Sequence, residues 1–340
     1  MDLSLSNSRR RRRRYKTKKK NKNLLGAVIV VLCLFAAFIG LKYLIQDQNT
    51  LIKYEKELCE TEANPIVGFS DALCVVPDNV PYEKFQTKDS FLSTALFNLS
   101  TKDVLLAENV HEKVYPASTT KLMTFYLAMK YGNLEDVITV SESATILPSG
   151  SSRAWLKVND QLTLKDLLYS MMLASGNDSA IAISEYISGS EEEFAKLMNQ
   201  EAKLLGATNT NFVNSHGYHT DEHYTTVYDL YLIMNECLKY DAFIELISTS
   251  TYKTAITEPN GYQRKVEWIQ TNFFLNGIYK VPKGINVVGG KTGTTDEAKN
   301  CLMLYCLDQE EVPYLAIIMG AETKDDLYTN MSTLISTLAN

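Results

Sequence analysis

Three kinds of hydrophobic pattern divide the chain. Residues 24–41 (LLGAVIVVLCLFAAFIGL) are apolar throughout and carry no charge. Residues 46–88 show little periodicity and contain Pro65, Pro77 and Pro81, the pattern of a polar stalk. From Phe91, "FLSTALFNLS" and "DVLLAENV", joined at residues 101–102, predict two strands. Helical spacing then takes over. After Pro116, the residues Leu122, Phe125, Tyr126 and Met129 recur at steps of three and four. "TLKDLLYSMMLAS" opens with Thr163…Asp166 and "TVYDLYLIMNECL" with Thr226…Asp229. "SEEEFAKLMNQEAKLLG" opens with Ser190…Glu193 and stops at Gly206. Each opening is a capping-box signature, in which a hydroxyl and an acid three residues later satisfy the first free N–H groups of a helix. Strand patterns return in "INVVGGKTG", "NCLMLYCLD" and "PYLAIIMGAE", and a last helix is predicted from about Asp325. Strands at both ends of a helical stretch predict an α/β composition of the α+β kind. One antiparallel sheet is assembled from distant parts of the chain and flanked by helices, with a helical subdomain beside it.

Charge changes the reading of the N-terminus. Residues 1–23 hold eleven Lys and Arg against one Asp, and the rest of the chain holds 23 basic against 39 acidic residues. The basic run lies directly before the apolar one. At 1.5 Å rise per residue those 18 residues span about 27 Å as a helix, near the thickness of a hydrocarbon core. Lys42 can snorkel and extend the stretch to Ile45. The positive-inside rule then places residues 1–23 in the cytoplasm as a basic tail and residues 24–45 in the membrane as a helix. Residues 46–88 become an extracellular stalk and 89–340 an external domain. A cleaved signal peptide would have a shorter apolar run and a small-residue cleavage site, and "FAAF" is a poor one. The span directly after the basic run also argues against nucleic-acid binding. Cys59 and Cys74 are placed to pair in the stalk, whereas Cys301 and Cys306, five apart on a predicted strand, face opposite sides.

Three short motifs carry the chemistry. Ser118 and Lys121 share a face at a predicted helix start. A hydroxyl is a weak nucleophile until a base lies within reach, and a buried Lys with a lowered pKa serves as one. The same spacing recurs at Ser250…Lys253, where no helix starts, and that copy reads as structural. Ser175-Gly176-Asn177 lies between two apolar helices. Its Ser can relay a proton and its Asn presents a donor and an acceptor on one rigid amide. Lys291-Thr292-Gly293 follows Gly289-Gly290, its Lys and Thr suited to an anionic carboxylate and its Gly to the close approach of a ligand backbone. Taken singly, each motif also fits a cap, a loop or a hairpin edge. Together, in this order and 57 and 116 residues apart, they form the Ser-x-x-Lys, Ser-x-Asn, Lys-Thr-Gly set of penicillin-binding proteins and class A β-lactamases.

On "PASTTK", "LASGNDSAIAISEYI", "NSHGYHTDEHYTTVYDL" and "GGKTGTTDEA", residues 89–335 resemble the low-molecular-mass penicillin-binding proteins that act as D-alanyl-D-alanine carboxypeptidases. The resemblance implies a β-lactamase/transpeptidase-like fold and a serine peptidase acting on peptidoglycan stem peptides, inhibited by β-lactams and needing no cofactor or metal. It implies Ser118 as the acylated nucleophile, Lys121 as its base, and Ser175 and Asn177 in proton relay and substrate orientation. Lys291, Thr292, Gly293 and Thr294 would bind the substrate, with the N–H groups of Ser118 and Thr294 as oxyanion hole. The N-terminal span would do the anchoring, because the family's frequent C-terminal β domain and amphipathic anchor have no counterpart here.

Two departures stand out. Many relatives carry Gly where this chain has Lys299, and often an Arg where it has Leu327 before Tyr328. Related readings are a D,D-endopeptidase, which shares every motif, and a β-lactam-binding protein with little turnover. A β-lactamase is disfavoured, since Gly176 stands where that family's S-D-N has Asp and no Glu stands out for deacylation. His216, His219 and His223 in "HGYHTDEH" mimic a zinc motif, but no helix is predicted there and they read as a structural loop.

Overall fold

The computed structural model describes residues 72–85 and 93–339. The expected basic tail, the apolar span, Cys33, Cys59 and most of the stalk lie outside those residues. Among the described residues no helix is long and apolar enough to cross a membrane.

Five strands form the main sheet: β1 (Ser93–Asn98), β2 (Val104–Glu108), β7 (Asn286–Thr295), β8 (Lys299–Leu307) and β9 (Pro313–Ala321). Their order is β2-β1-β9-β8-β7 and every neighbouring pair is antiparallel, so the N- and C-terminal strands meet at the centre, as the sequence pattern implies. Both faces of this sheet are covered. On β8, Cys301 and Met303 face the helical core while Leu302, Leu304 and Cys306 face the other side. The period-2 alternation of a strand sends the two cysteines to opposite faces, and both are buried free thiols. The helix α8 (Lys324–Ser336) covers that second face with Leu327, Tyr328, Met331, Leu334 and Ile335.

A second sheet was not expected. The strands β3 (Val137–Thr139), β4 (Gln161–Thr163), β5 (Thr251–Thr257) and β6 (Gln263–Ile269) pair in that order. The two long ones, β5 and β6, turn Tyr252, Ile256, Val266 and Trp268 to the core and polar residues outward. Lys253 of the second Ser-x-x-Lys lies on β5 beside Glu267 of β6, in keeping with a structural role.

The remaining helices are α1 (Lys121–Tyr131), α2 (Glu142–Thr145), α3 (Leu164–Leu173), α4 (Asn177–Ser188), α5 (Glu191–Leu204), α6 (Val227–Cys237) and α7 (Asp241–Ser248). In α1 every residue from Lys121 to Ala128 is buried, so the helix has no solvent face until its last turn. Its apolar stripe marks the central helix of the core, and each of Leu122 and Phe125 contributes about 1.5–3 kcal/mol by burial. Each of the three N-cap hydroxyls forms its bond, but the Ser190 box stays half closed because the Glu193 carboxylate pairs with Lys196. Thr163 and Asp166 close a full reciprocal box on α3, as do Thr323 and Asp326 on α8. Thr226 caps α6, but the Asp229 carboxylate turns away to accept from Asn209 N and Thr210 Oγ1, tying down the preceding loop.

Residues 72–85, assigned to the stalk by their prolines, pack on the domain instead. Cys74, Val76 and Phe85 are buried, the Cys74 amide donates to Tyr231 Oη, and Val80 bridges to Ala107 of β2. The domain therefore begins before residue 89.

Candidate active site

One turn of 3-10 helix, Ala117–Thr120, leads into α1 and carries Ser118. The turn is tightly constrained. Ala117 has φ +46, a region that costs a residue with a side chain on the order of 1–3 kcal/mol. Two glycines make room for it. At Gly217 (φ +89) a Cβ would lie 1.7 Å from the Ala117 carbonyl oxygen. At Gly293 a Cβ would lie 3.0 Å from the Pro116 oxygen and 3.3 Å from the Ser118 nitrogen. Gly293 thus permits the close packing of the Ser118 turn on β7, and it also lines the smaller of the two cavities beside Ser118.

Lys121 is completely buried, one turn along from Ser118. Its Nζ donates to Asn177 Oδ1 at 2.8 Å, to the His216 carbonyl at 2.7 Å and to Ser118 Oγ at 3.0 Å. Burial, reinforced by the Lys291 cation, pushes its pKa well below the usual 10.5, against the opposing pull of Asp178 and Glu191. Once deprotonated, the amine keeps two of these contacts as donor and turns its lone pair to the third. An uncharged –NH₂ has two donors and one lone pair. The Asn177 and His216 oxygens only accept, so the lone pair faces the one partner that can turn and donate, the Ser118 hydroxyl.

Lys291 on β7 is buried too, and burial brings its pKa down to about 7. Its Nζ donates to Ser175 Oγ at 3.1 Å and to the Thr292 carbonyl at 2.9 Å. Ser175 holds φ +56 in the loop between α3 and α4, which aims its hydroxyl at Lys291. Asn177 opens α4, and its backbone N–H donates to the Ser152 carbonyl. Thr294 is exposed at the end of β7 and lines both cavities that open beside Ser118. All eight residues singled out from the sequence thus lie around one cleft.

Several contributors escaped the sequence reading. Asp178 is buried and accepts from the Ala154, Leu156 and Ser179 amides, holding the 152–156 loop against α4. Its place beside Asn177 was the available signal. Thr271 Oγ1 pairs with Thr292 Oγ1 at 2.7 Å, and the His216 contribution is a backbone carbonyl; neither leaves a trace in sequence. His216 and His223 hold the loop from within. Each accepts a backbone N–H at Nδ1, and burial pushes both pKa values down to about 3. No helix runs through residues 216–223, as expected.

The two departures have physical accounts. Lys299 sits at φ +57 in the β7–β8 hairpin, the left-handed conformation that favours Gly, with its Nζ 3.5 Å from Glu322. Leu327 points into the apolar layer beneath α8. One turn earlier, Lys324 lines the smaller cavity with its Nζ 5.5 Å from the Phe273 ring centre, so a cation is present there after all.

The sequence profile of the family described as D-alanyl-D-alanine carboxypeptidase matches residues 88–323. The chain belongs to that family. It is 34% identical over 248 residues to the D-alanyl-D-alanine carboxypeptidase DacF of Bacillus subtilis, covering 72% of this chain and 60% of that protein. It is 33% identical over 240 residues to DacC of Escherichia coli, covering 67% of this chain and 56% of that protein. The chain thus spans less than two thirds of the length of these relatives. Among solved structures, the fold resembles penicillin binding protein 5 from Haemophilus influenzae (TM-score 0.65, 27% identity, 74% of this chain and 71% of that one). It also resembles the Streptomyces K15 DD-transpeptidase (TM-score 0.68, 24% identity, 74% and 97%), a likeness of fold.

Proposed function

We propose that this chain is a membrane-anchored serine D,D-carboxypeptidase that removes the terminal D-Ala from peptidoglycan stem peptides. The observation that carries the reading is the buried Lys121 amine 3.0 Å from Ser118 Oγ, with its other two contacts fixed on pure acceptors. Ser118 Oγ attacks the carbonyl carbon of the penultimate D-Ala and its proton passes to neutral Lys121. The oxyanion is held by the N–H groups of Ser118 and Thr294. Collapse breaks the peptide C–N bond, and the proton taken by Lys121 passes through Ser175, which Lys291 orients, to the departing D-Ala nitrogen, leaving Lys121 neutral again. Water then attacks the ester carbonyl, Lys121 takes its proton and returns it to Ser118 Oγ as the ester bond breaks and the shortened peptide leaves. Asn177 orients the peptide group before the scissile bond. Thr292 and Lys324 face the terminal carboxylate, so the loss of an Arg at Leu327 does not remove the cation on which that contact depends. A β-lactam would acylate Ser118 in the same way, but its leaving group stays tethered and blocks the water. Residues 1–23 would lie in the cytoplasm, 24–45 span the membrane, and the stalk and domain lie outside; the charge asymmetry and the apolar run support this.

The test uses the full chain in carbonate-washed membranes, as wild type and as Ser118→Ala. D-Ala release from a peptide ending in D-Ala-D-Ala and labelling by a fluorescent penicillin are both expected in the wild-type pellet and lost in the variant. Labelling without D-Ala release would replace this reading with the endopeptidase or the low-turnover binder. Activity in the wash alone would remove the anchor, and neither signal in the wild type would refute the enzyme.

A further inference from the structure

The loop that presents the His216 carbonyl to Lys121 is held from α5, a helix of which no residue lines either cavity beside Ser118. Three acids open that helix, and they part ways. Glu192 and Glu193 are exposed and pair with Lys196 on the helix surface. Glu191 turns inward, and its Oε1 accepts from Ser215 N at 3.0 Å and from Ser215 Oγ at 2.7 Å. Ser215 is completely buried, and its carbonyl accepts in turn from Thr124 Oγ1 of α1. The next carbonyl along the chain, that of His216, accepts from Lys121 Nζ at 2.7 Å. His216 Nε2 lies 3.5 Å from the same Glu191 oxygen. Because Nδ1 accepts from Tyr218 N, Nε2 is the nitrogen that carries the proton of the neutral ring, and that proton faces the carboxylate.

Glu191 thus bears on Lys121 in two ways, through the backbone it fixes and through its charge. Lys121 is faced by Lys291 from β7, by Asp178 from α4, by Glu191 from α5 and by the His216 and His223 rings, which burial keeps neutral. The two carboxylates favour the ammonium form and oppose the burial and the Lys291 cation that disfavour it. We propose that Glu191 is a positioning residue of the reaction, which holds the His216 carbonyl against Lys121 and supplies a negative charge on the α5 side of the amine. This inference rests on the reading of Lys121 as base.

Two variants separate the two effects. Glu191→Gln keeps an oxygen for Ser215 and loses the charge, whereas Glu191→Ala loses both. Acylation of the full chain in detergent by a fluorescent penicillin is followed by stopped flow across pH, with thermal melts on the same samples. In Glu191→Gln the high-pH plateau is expected to stay within about twofold of wild type. The rising limb is expected to move to lower pH by about half a unit, since a charge beyond direct contact shifts an amine less than the one to three units of an adjacent one. Below the limb this variant then acylates about threefold faster than wild type. In Glu191→Ala the limb moves the same way and the plateau falls by about tenfold, because a carbonyl displaced by a few tenths of an ångström takes Lys121 with it. A loss of stability alone would not move the limb. A limb in Glu191→Gln at the wild-type pH or above it, or a plateau in Glu191→Ala within twofold of wild type, would overturn the inference and leave Lys121 as base. A wild type with no rising limb would overturn that base and the inference with it.

Discussion

Lys121→Met separates the role of Lys121 as a base from its role as packing. Methionine is close to lysine in length and is at home in a fully buried position. The substitution removes the lone pair facing Ser118 and leaves Ser118 Oγ with no base among its hydrogen-bond partners. A positioned general base contributes about 10²- to 10⁴-fold. Acylation is therefore expected to slow by about that factor, which corresponds to roughly 3–5.5 kcal/mol in the barrier. Stability follows a different sum. Asn177 Oδ1 and the His216 carbonyl lose a donor each, at about 1–3 kcal/mol per orphaned acceptor, while the cost of burying an amine disappears. These effects oppose one another, so the melting temperature moves far less than the rate. The assay is stopped-flow acylation by a fluorescent penicillin across pH, with thermal melts on the same samples. Wild-type acylation is expected to rise with pH as Lys121 loses its proton, at a pH well below 10.5, and the variant to lack that rise. Acylation by the variant within tenfold of wild type, or the same rising limb in both, would refute the assignment of Lys121 as base.

Lys291→Met tests the second buried amine through stability. The folded-state pKa of Lys291 is depressed to about 7, so between about 7 and the unfolded value near 10.5 the unfolded chain binds the extra proton. The wild type should therefore gain stability relative to the variant as pH rises through that window, by up to about 1.4 kcal/mol per pH unit, and lose it as pH falls toward 7. Parallel urea-melt stabilities from pH 7 to 10 would show that the buried amine is not depressed. Gly293→Ala tests the packing of β7 on the nucleophile turn. Its Cβ would press on the Pro116 oxygen at 3.0 Å and on Ala117 Cβ at 3.2 Å, moving Ser118 by a few tenths of an ångström. Since a shift of about 1 Å costs on the order of 10²-fold, an acylation rate lower by about tenfold is expected, and an unchanged rate would show that the turn relaxes without consequence.

What the sequence determined by itself is local or chemical. Capping hydroxyls at Thr163, Ser190 and Thr226 mark their helices because a helix N-terminus needs acceptors within three residues. The central strands were legible as near-continuous apolar runs, since both faces of the sheet are buried, and the period of two sent Cys301 and Cys306 to opposite faces. The three motifs named Ser118, Lys121, Ser175, Asn177 and Lys291, which the fold joins by hydrogen bonds, because the chemistry narrows the residue types and their order. Tertiary structure decided what depends on contacts between distant segments. The strands β5 and β6 pack one face on the core, and their place in one sheet with β3 and β4 joins segments about a hundred residues apart, which no local pattern encodes. Gly293 lines the smaller cavity and also lies against the Pro116–Ser118 backbone, an approach that no spacing encodes. The acid of the Thr226 box left its helix for Asn209 and Thr210, and the cation sought at Leu327 stands at Lys324, one turn away on α8. The protonation of Lys121 belongs to the same class. A lysine in a sequence is a charge, and only complete burial and a neighbouring Lys291 bring its pKa well below the usual 10.5.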